Sequence, residues 1–284
     1  MSATSKTSAW TKAAQLPEEA RTATGDLILV LADNKRVLGM RYSDWILGAP
    51  SVEAGIACSA MAQDEWGHSR ILYSMLRDFG FDPAHLEHDR ESKEYRNSEL
   101  IDSAAEGWPG LIALNLLLDT AMSVQFDALG ASRFEPIHYK VRKLLEEERF
   151  HFEHARGWVS RLSATDAGRN ALREAFEPVW GSCLRWFGPP DDALGTALAD
   201  AGIADAAPED LRCRWLGRVG PVVHEAELGL AAPDSDGWSS AVTVEWTDWD
   251  PSSRRPEQTA GSTGPDAATL ASVRGDKNRS LLLD

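Results

Sequence analysis

The sequence predicts an all-α protein built around a four-helix bundle, and three observations support this class. Long segments before residue 231 repeat apolar side chains at the three-to-four-residue spacing of a helix buried on one face. Capping residues, glycines and prolines separate these segments at the places where helices begin and end. Strand-like alternation of apolar and polar residues is confined to 240–249, close to the C-terminus.

The first two predicted helices are separated by a short turn. The first covers residues 17–45, and the Gly-Ala-Pro sequence at 48–50 interrupts its apolar stripe. Ser51 is placed to cap the second helix, because its hydroxyl can accept from a free backbone N–H of the first turn. This helix continues to residue 79 and ends at Gly80, a residue typical of the left-handed position after a helix.

The later helices follow from the same signals. The polar stretch 81–106 is predicted to be a surface connection with some helix. The third helix, 108–129, is apolar on nearly every face and should therefore be buried. A fourth helix covers 135–162, with a proline at its second position, where proline is tolerated. One or two further helices are expected within 166–187 and 191–230.

The chain is predicted to divide into a bundle domain, 1–230, and a low-complexity, mostly irregular tail, 231–284. The tail is rich in Ser, Gly, Pro, Thr and Asp, a composition that buries little apolar surface. The N-terminus lacks the apolar segment of a signal peptide, and no stretch approaches the roughly 18 apolar residues of a membrane span. We therefore expect a cytoplasmic protein.

The charge balance excludes some functions. Acidic side chains number 44 and basic ones 29, so the formal net charge is −15. Neither nucleic acid nor an anionic membrane is an expected partner, because both require a basic surface. Three widely spaced cysteines without a Cys-x-x-Cys pair indicate neither a disulfide framework nor a thiolate metal site.

Two Glu-x-x-His motifs are the main candidates for chemistry: Glu65 with His68 in the second helix, and Glu148 with His151 in the fourth. Residues three apart lie on one face of a helix, so a carboxylate and an imidazole at this spacing can reach the same metal ion. Such motifs on two helices are the pattern of di-iron and di-manganese sites in four-helix bundles. Coincidental solvated pairs are the competing interpretation, which the repetition of the motif disfavours.

The other two helices of such a bundle each supply one carboxylate. In the third helix Asp119 stands in a strongly apolar run, where an unpaired carboxylate would be costly to bury. Its ordinary alternative is a surface aspartate, and Asp127 is a rival ligand two turns later. With either aspartate as the ligand, the third helix would pack against the two helices that carry the motifs.

The first helix departs from the pattern. Symmetry would place its carboxylate about 30 residues before Glu65, where Lys35 and Arg36 stand instead. The nearest acid is Asp33, which is either a ligand from a shifted position or a surface aspartate paired with a neighbouring cation. A cation beside the site could replace the hydrogen bonds of a missing ligand, but it would repel a metal ion.

Two segments carry a resemblance to a known family: LADNKRVLGMRYSDWILGAPSVEAGIACSAMAQDEWGHSRILYSMLRDFG and LLEEERFHFEHARGWVSRL. They resemble the phenylacetyl-CoA epoxidase (phenylacetate-CoA oxygenase) family over roughly residues 20–190. That family has a ferritin-like catalytic subunit with a di-iron site and a related structural subunit that has lost the ligands. The segments LADN and RFHFEHARGW resemble the structural subunit, whereas the segments QDEWGH and EEERFH resemble the catalytic one.

The resemblance implies a ferritin-like bundle that acts as a di-iron monooxygenase component. It implies O₂ and an aromatic or other acyl-CoA-type substrate, two iron (or manganese) ions, a separate reductase, and an oligomer, homomeric or with a related ferritin-like subunit. The implied ligands and catalytic residues are Glu65, His68, Asp119, Glu148 and His151, with Asp33 as a further candidate ligand. The alternatives are a non-catalytic structural subunit and an iron-oxidising protein that needs no organic substrate.

Two further groups of residues have predicted roles near the motifs. Asp64, Glu147 and neighbours of Asp119 are candidate acceptors for the second N–H group of each ligating histidine. A run of cations could bind the phosphates of coenzyme A or simply be solvated; it comprises Arg70, Arg77, Arg90, Lys93 and Arg96.

Overall fold

The computed structural model describes residues 9–247, 249–250, 254–256 and 264–274 of the chain. The prediction of an all-α bundle is confirmed. In chain order the helices are α1 Glu18–Asp44, α2 Val52–Leu76, α3 Pro83–His88, α4 Gly107–Ala113, α5 Thr120–Leu129, α6 Glu135–Ser163, α7 Asp166–Arg185, α8 Ala193–Asp200, α9 Pro208–Glu225 and α10 Ala267–Arg274.

The bundle consists of two helix pairs. Helix α1 packs along α2, and the composite third helix, α4 with α5, packs against α6. Helix α2 also contacts α6, which joins the two pairs. Helix α7 covers α4, and α9 lies against α5 and α6, so these two helices cover the second pair, whereas α8 and α10 contact α1.

Local signals account for the ends of α2. The Ser51 hydroxyl accepts a hydrogen bond from the backbone N–H of Ala54 at 3.2 Å, as the capping pattern predicts. After Leu76 the chain tightens into a single 3₁₀ turn, and Gly80 follows with φ of 92°. A side chain at that φ would be strained, so glycine is required for the chain to leave the helix there.

The third bundle helix is not regular. A π-helical segment, Leu114–Asp119, separates α4 from α5, and it inserts a wider turn just where Asp119 enters the core. The indole N–H of Trp215, from α9, donates to the carbonyl of Leu117 within this segment at 2.9 Å. Contrary to the expectation that no stretch approaches a membrane span, Gly107–Leu129 is long and apolar enough to cross a membrane, but 94% of its most apolar window is buried inside the protein. It is therefore a core helix.

One expectation about the C-terminal part is wrong in detail. Segment 191–230 contains two helices, because residues 201–207 form turns between α8 and α9. Residues 241–247 of the segment with strand-like alternation form no strand; an antiparallel hairpin, strands β1 Ala231–Asp234 and β2 Gly237–Ser240, ends just before them. Strand β2 pairs here because Trp238 lies against Gly220 of α9, where a side chain would clash with the indole.

The stretch 81–106 is not simply a solvated connection. Arg90, Asn97 and Ser98 are at most 3% exposed within it. Residues of the predicted tail also pack on it: Arg255 donates to the Asn97 carbonyl at 3.0 Å. A second short strand pair, β3 Trp249–Asp250 with β4 Arg255–Pro256, holds this arginine. Residues 248, 251–253, 257–263 and 275–284 of the tail lie outside the described residues, and the boundary at residue 230 stays a prediction.

Candidate metal centre

The five residues of the two motifs and Asp119 converge in the centre of the bundle. Glu65 and His68 come from α2, Glu148 and His151 from α6, and Asp119 from the end of the π-helical segment. Each is at most 3% exposed. One ligand atom from each of Glu65, Asp119, Glu148 and His151 lies within 4.8 Å of the others.

The ammonium group of Lys35 occupies the middle of this cluster. Its Nζ lies 3.0 Å from Glu65 Oε1, 2.5 Å from Asp119 Oδ1 and 2.5 Å from Glu148 Oε1. Lys35 is completely buried. Thus one cation of the chain contacts all three carboxylates that a two-metal centre would use as ligands.

The two histidines flank this ion cluster. His68 Nδ1 lies 3.1 Å from Glu148 Oε1 and 3.8 Å from Glu65 Oε2. His151 Nδ1 lies 3.0 Å from Asp119 Oδ2 and 3.4 Å from Glu65 Oε1. Glu65 therefore stands between the two rings, and among the described residues its Oε2 has no hydrogen-bond partner.

The outer nitrogen of each ring contacts a partly exposed carboxylate. His68 Nε2 lies 2.7 Å from Glu147 Oε2, and His151 Nε2 lies 3.4 Å from Asp64 Oδ2. These are two of the acceptors expected from the sequence. Such contacts orient the rings and favour their charged form.

The electrostatics of the cluster favour the charged forms of its lysine and its two histidines. Burial by itself lowers the pKa of His68, but contacts with Glu148 and Glu65 outweigh burial and raise that pKa to about 10. The pKa of His151 is likewise raised, against burial, by its hydrogen bond to Asp119. Burial also opposes the charge of Lys35, yet the surrounding carboxylates raise its pKa. Glu65 shows the opposite effect, because burial and the neighbouring charge of Asp119 raise its pKa despite the contact with Lys35.

Three supporting side chains were not anticipated from the sequence. The Tyr42 hydroxyl donates to Asp119 Oδ2 at 2.8 Å and accepts from Asn115 Nδ2 at 2.9 Å. The Ser123 hydroxyl donates to Glu148 Oε2 at 2.8 Å. Helical spacing was the available signal, since Asn115 and Ser123 lie one turn either side of Asp119.

Asp33 does not join the cluster. Its two oxygens accept from the guanidinium of Arg90 at 2.9 and 2.5 Å and from the Tyr73 hydroxyl at 2.6 Å. Of the two alternatives for Asp33, the structure shows the pairing with a cation, although the pair is buried and not on the surface. The rival Asp127 faces outward, where it pairs with Arg218 at 2.9 Å.

The cations of the 70–96 region do not form one free patch. Arg90 is used by Asp33, Arg96 pairs with Asp26 at 2.6 Å, and Lys93 pairs with Glu91 at 3.0 Å. These contacts favour local ion pairing over a phosphate site. A cavity of about 460 Å³ instead opens beside Glu148. Its lining includes Thr120, Ser123, Leu145, Arg149, Phe152 and Arg218.

The donor set suits a transition metal, but the arrangement does not suit two. Carboxylate and imidazole groups are ordinary ligands for iron and manganese. However, none of the described α1 side chains supplies a sixth ligand, and Lys35 Nζ contacts an oxygen of each of the three carboxylates that would hold the ions. Two divalent cations together with Lys35 would also leave the pocket strongly positive. The residues therefore do not fit a two-metal centre while Lys35 keeps this position.

The chain is similar to one protein family and to two proteins of known function. The family model described as phenylacetic acid catabolic protein matches residues 2–247. Two different subunits of the 1,2-phenylacetyl-CoA epoxidase of Escherichia coli (strain K12) are similar to the chain. One is 27% identical over 205 residues, which cover 71% of this chain and 82% of that relative. The other is 25% identical over 207 residues, which cover 72% of this chain and 66% of that relative.

Proposed function

Since this chain belongs to the phenylacetic acid catabolic protein family, we propose that it is a non-catalytic, ferritin-like subunit of a phenylacetyl-CoA epoxidase-type oxygenase. The observation that carries this proposal is the contact of Lys35 Nζ with the carboxylates of Glu65, Asp119 and Glu148. The chain's own cation closes the pocket in which a catalytic subunit would hold metal. A subunit of this kind leaves O₂ chemistry to a related chain and contributes a stable surface for assembly.

The partners follow from this role. We propose a cytoplasmic complex with a related ferritin-like chain that has a carboxylate at the position of Lys35, served by a separate reductase. The two relatives are both named as subunits of one epoxidase, which supports an assembly of related chains. The net charge of −15 makes nucleic acid and anionic membranes unsuitable partners.

Metal analysis of the purified chain tests the proposal. After anaerobic incubation with Fe(II) and desalting, we expect far less than one iron ion per chain by mass spectrometry. In a complex with the catalytic chain, His68→Gln and His151→Gln should then leave oxygenase activity unchanged. Two tightly held iron ions per wild-type chain, or loss of activity in both variants while the complex still assembles, would contradict the proposal.

A second candidate is a catalytic di-iron, or di-manganese, monooxygenase component. It is favoured by the convergence of both Glu-x-x-His motifs with Asp119 and by the cavity that reaches Glu148. Glu65, His68, Asp119, Glu148 and His151 would hold the ions after Lys35 had turned away. Ions there would supply the reduction of O₂ for oxygenation of an aromatic acyl-CoA-type substrate, with electrons from the reductase. Iron uptake close to two ions per chain is the result that selects this candidate.

A further inference from the structure

Lys35 occupies one particular place in the bundle, the place of a missing ligand. We infer that Lys35 alone keeps divalent metal out of the central cluster, so that Lys35→Glu creates a two-metal site. The inference rests on the proposed non-catalytic role, because it explains how the pocket is closed. Lys35 is thus the single residue that would prevent metal binding in the central cluster.

The geometry selects Lys35 over its neighbours on α1. Lys35 stands 30 residues before Glu65, and Asp119 stands 29 residues before Glu148, so the two helix pairs present equivalent positions to the centre. The neighbouring Arg36 lies 3.4 Å from Glu87, outside the cluster. Lys35 is therefore the counterpart of Asp119 in the first pair.

The remaining donors are already divided into two sets. His151 lies beside Asp119 at 3.0 Å, and His68 lies beside Glu148 at 3.1 Å. Glu65 stands between the rings, with Oε1 3.4 Å from His151 Nδ1 and Oε2 3.8 Å from His68 Nδ1. A carboxylate introduced at position 35 supplies the donor that the His68 side lacks.

Side-chain length and charge favour the same result. A glutamate oxygen is one bond closer to the backbone than lysine Nζ, so the substitution vacates the space between the three carboxylates. It also replaces one positive charge by a negative one in a fully buried pocket. Four buried carboxylates would be costly without cations, whereas two divalent ions balance them. The variant should therefore depend on metal for its stability, and the wild-type chain should not.

Metal content and thermal stability of three full-length proteins test the inference. Wild type, Lys35→Glu and Lys35→Gln are loaded with Mn(II), and separately with Co(II), whose visible absorption reports bound ligands. We expect about two ions per chain for Lys35→Glu and about one for Lys35→Gln, which loses the ammonium without adding a carboxylate. Metal should raise the melting temperature of Lys35→Glu by about 5 °C or more and leave wild type unchanged.

Lys93→Glu is the matched control, since it makes the same charge change at a side chain that is 69% exposed. It should bind no ion. The inference is overturned if folded Lys35→Glu and folded Lys35→Gln both stay metal-free, or if wild type loads two ions with Lys35 in place. If Lys35→Glu folds only when refolded with Mn(II), the inference is supported. If it folds under neither condition, the ion content of Lys35→Gln decides. The proposed role in the oxygenase is tested separately, by the activity of the complex that contains His68→Gln or His151→Gln. Its failure there would not depend on the metal contents measured here.

Discussion

Two buried ion clusters share helix α1 and use cations in different ways. At the first, the planar guanidinium of Arg90 faces a single acid, Asp33, and both carboxylate oxygens are bonded; the Arg96 backbone N–H adds a further bond at 2.8 Å. At the second, the point charge of Lys35 faces three acids, and Glu65 Oε2 is left without a hydrogen bond among the described residues. The first cluster is a complete ion pair. In the second, one lysine contacts three carboxylates, and the two histidines lie beside the same carboxylates.

The largest expected effect comes from removing the cation of the second cluster. Lys35→Met should lower the free energy of unfolding by about 4 kcal/mol, because three carboxylates lose their shared buried partner. Urea unfolding of the variant and wild type measures this. Mn(II) should recover part of the loss, and a decrease no larger than that of Lys93→Met, an exposed control, would show that Lys35 carries little of the stability.

Removing the cation of the first cluster should lower the free energy of unfolding somewhat less than Lys35→Met does. Arg90→Met leaves Asp33 with the Tyr73 hydroxyl and the Arg96 backbone N–H, so we expect a loss of about 3 kcal/mol. In the double variant with Asp33→Asn, part of this loss should return, as a double-mutant cycle would report. Mn(II) should not stabilise Arg90→Met. If it did so as much as in Lys35→Met, the distinction between the two clusters would be lost.

The third expected effect is a pH dependence of stability that comes from the second cluster. The pKa of His68 is raised to about 10 by Glu148 and Glu65 against the effect of burial, so its contribution is complete below about pH 6.5 and is lost as the pH rises towards 10. Between pH 7 and pH 9 the free energy of unfolding of wild type should therefore fall by about 2.5 kcal/mol more than that of His68→Gln. Equal slopes would contradict a charged His68.

His154→Gln is the control for this measurement. Burial, with the nearby charge of His151, lowers the pKa of His154 to about 4, so this side chain is neutral at both pH values. Its substitution should leave the slope between pH 7 and pH 9 as in wild type.

The smallest expected effects come from the tyrosines that complete each cluster. Tyr73→Phe removes a hydrogen bond to Asp33, and Tyr42→Phe removes one to Asp119. We expect losses of about 1.5 kcal/mol for each, the value typical of a hydrogen bond to a charged group. Chemical denaturation measures both, and a loss above that of Arg90→Met in either variant would reverse the order proposed here.

Much of the fold and most of the site could be predicted from the sequence. Periodic apolar residues and local stop signals define α1, α2 and α6 to within a few residues, because helices depend on interactions three and four positions apart. The same periodicity placed Glu65 with His68 and Glu148 with His151 on inward faces. The alternation at 240–249 did not locate the strands, because short strands depend on a pairing partner, and the partner of β2 lies at 231–234.

Only the tertiary structure decided which α1 side chain enters the centre. Asp33 and Lys35 are two residues apart and so point about 200° away from each other around the helix axis. The sequence showed an acid and a cation at this place, but the rotation of α1 depends on its packing against α2 and on Arg90, 57 residues further along the chain. The choice of Asp119 over Asp127 likewise depends on long-range contacts, since Arg218 of α9 holds Asp127 at the surface. Local patterns thus determined the helices and the two motifs, and packing between distant segments determined the cation that the motifs surround.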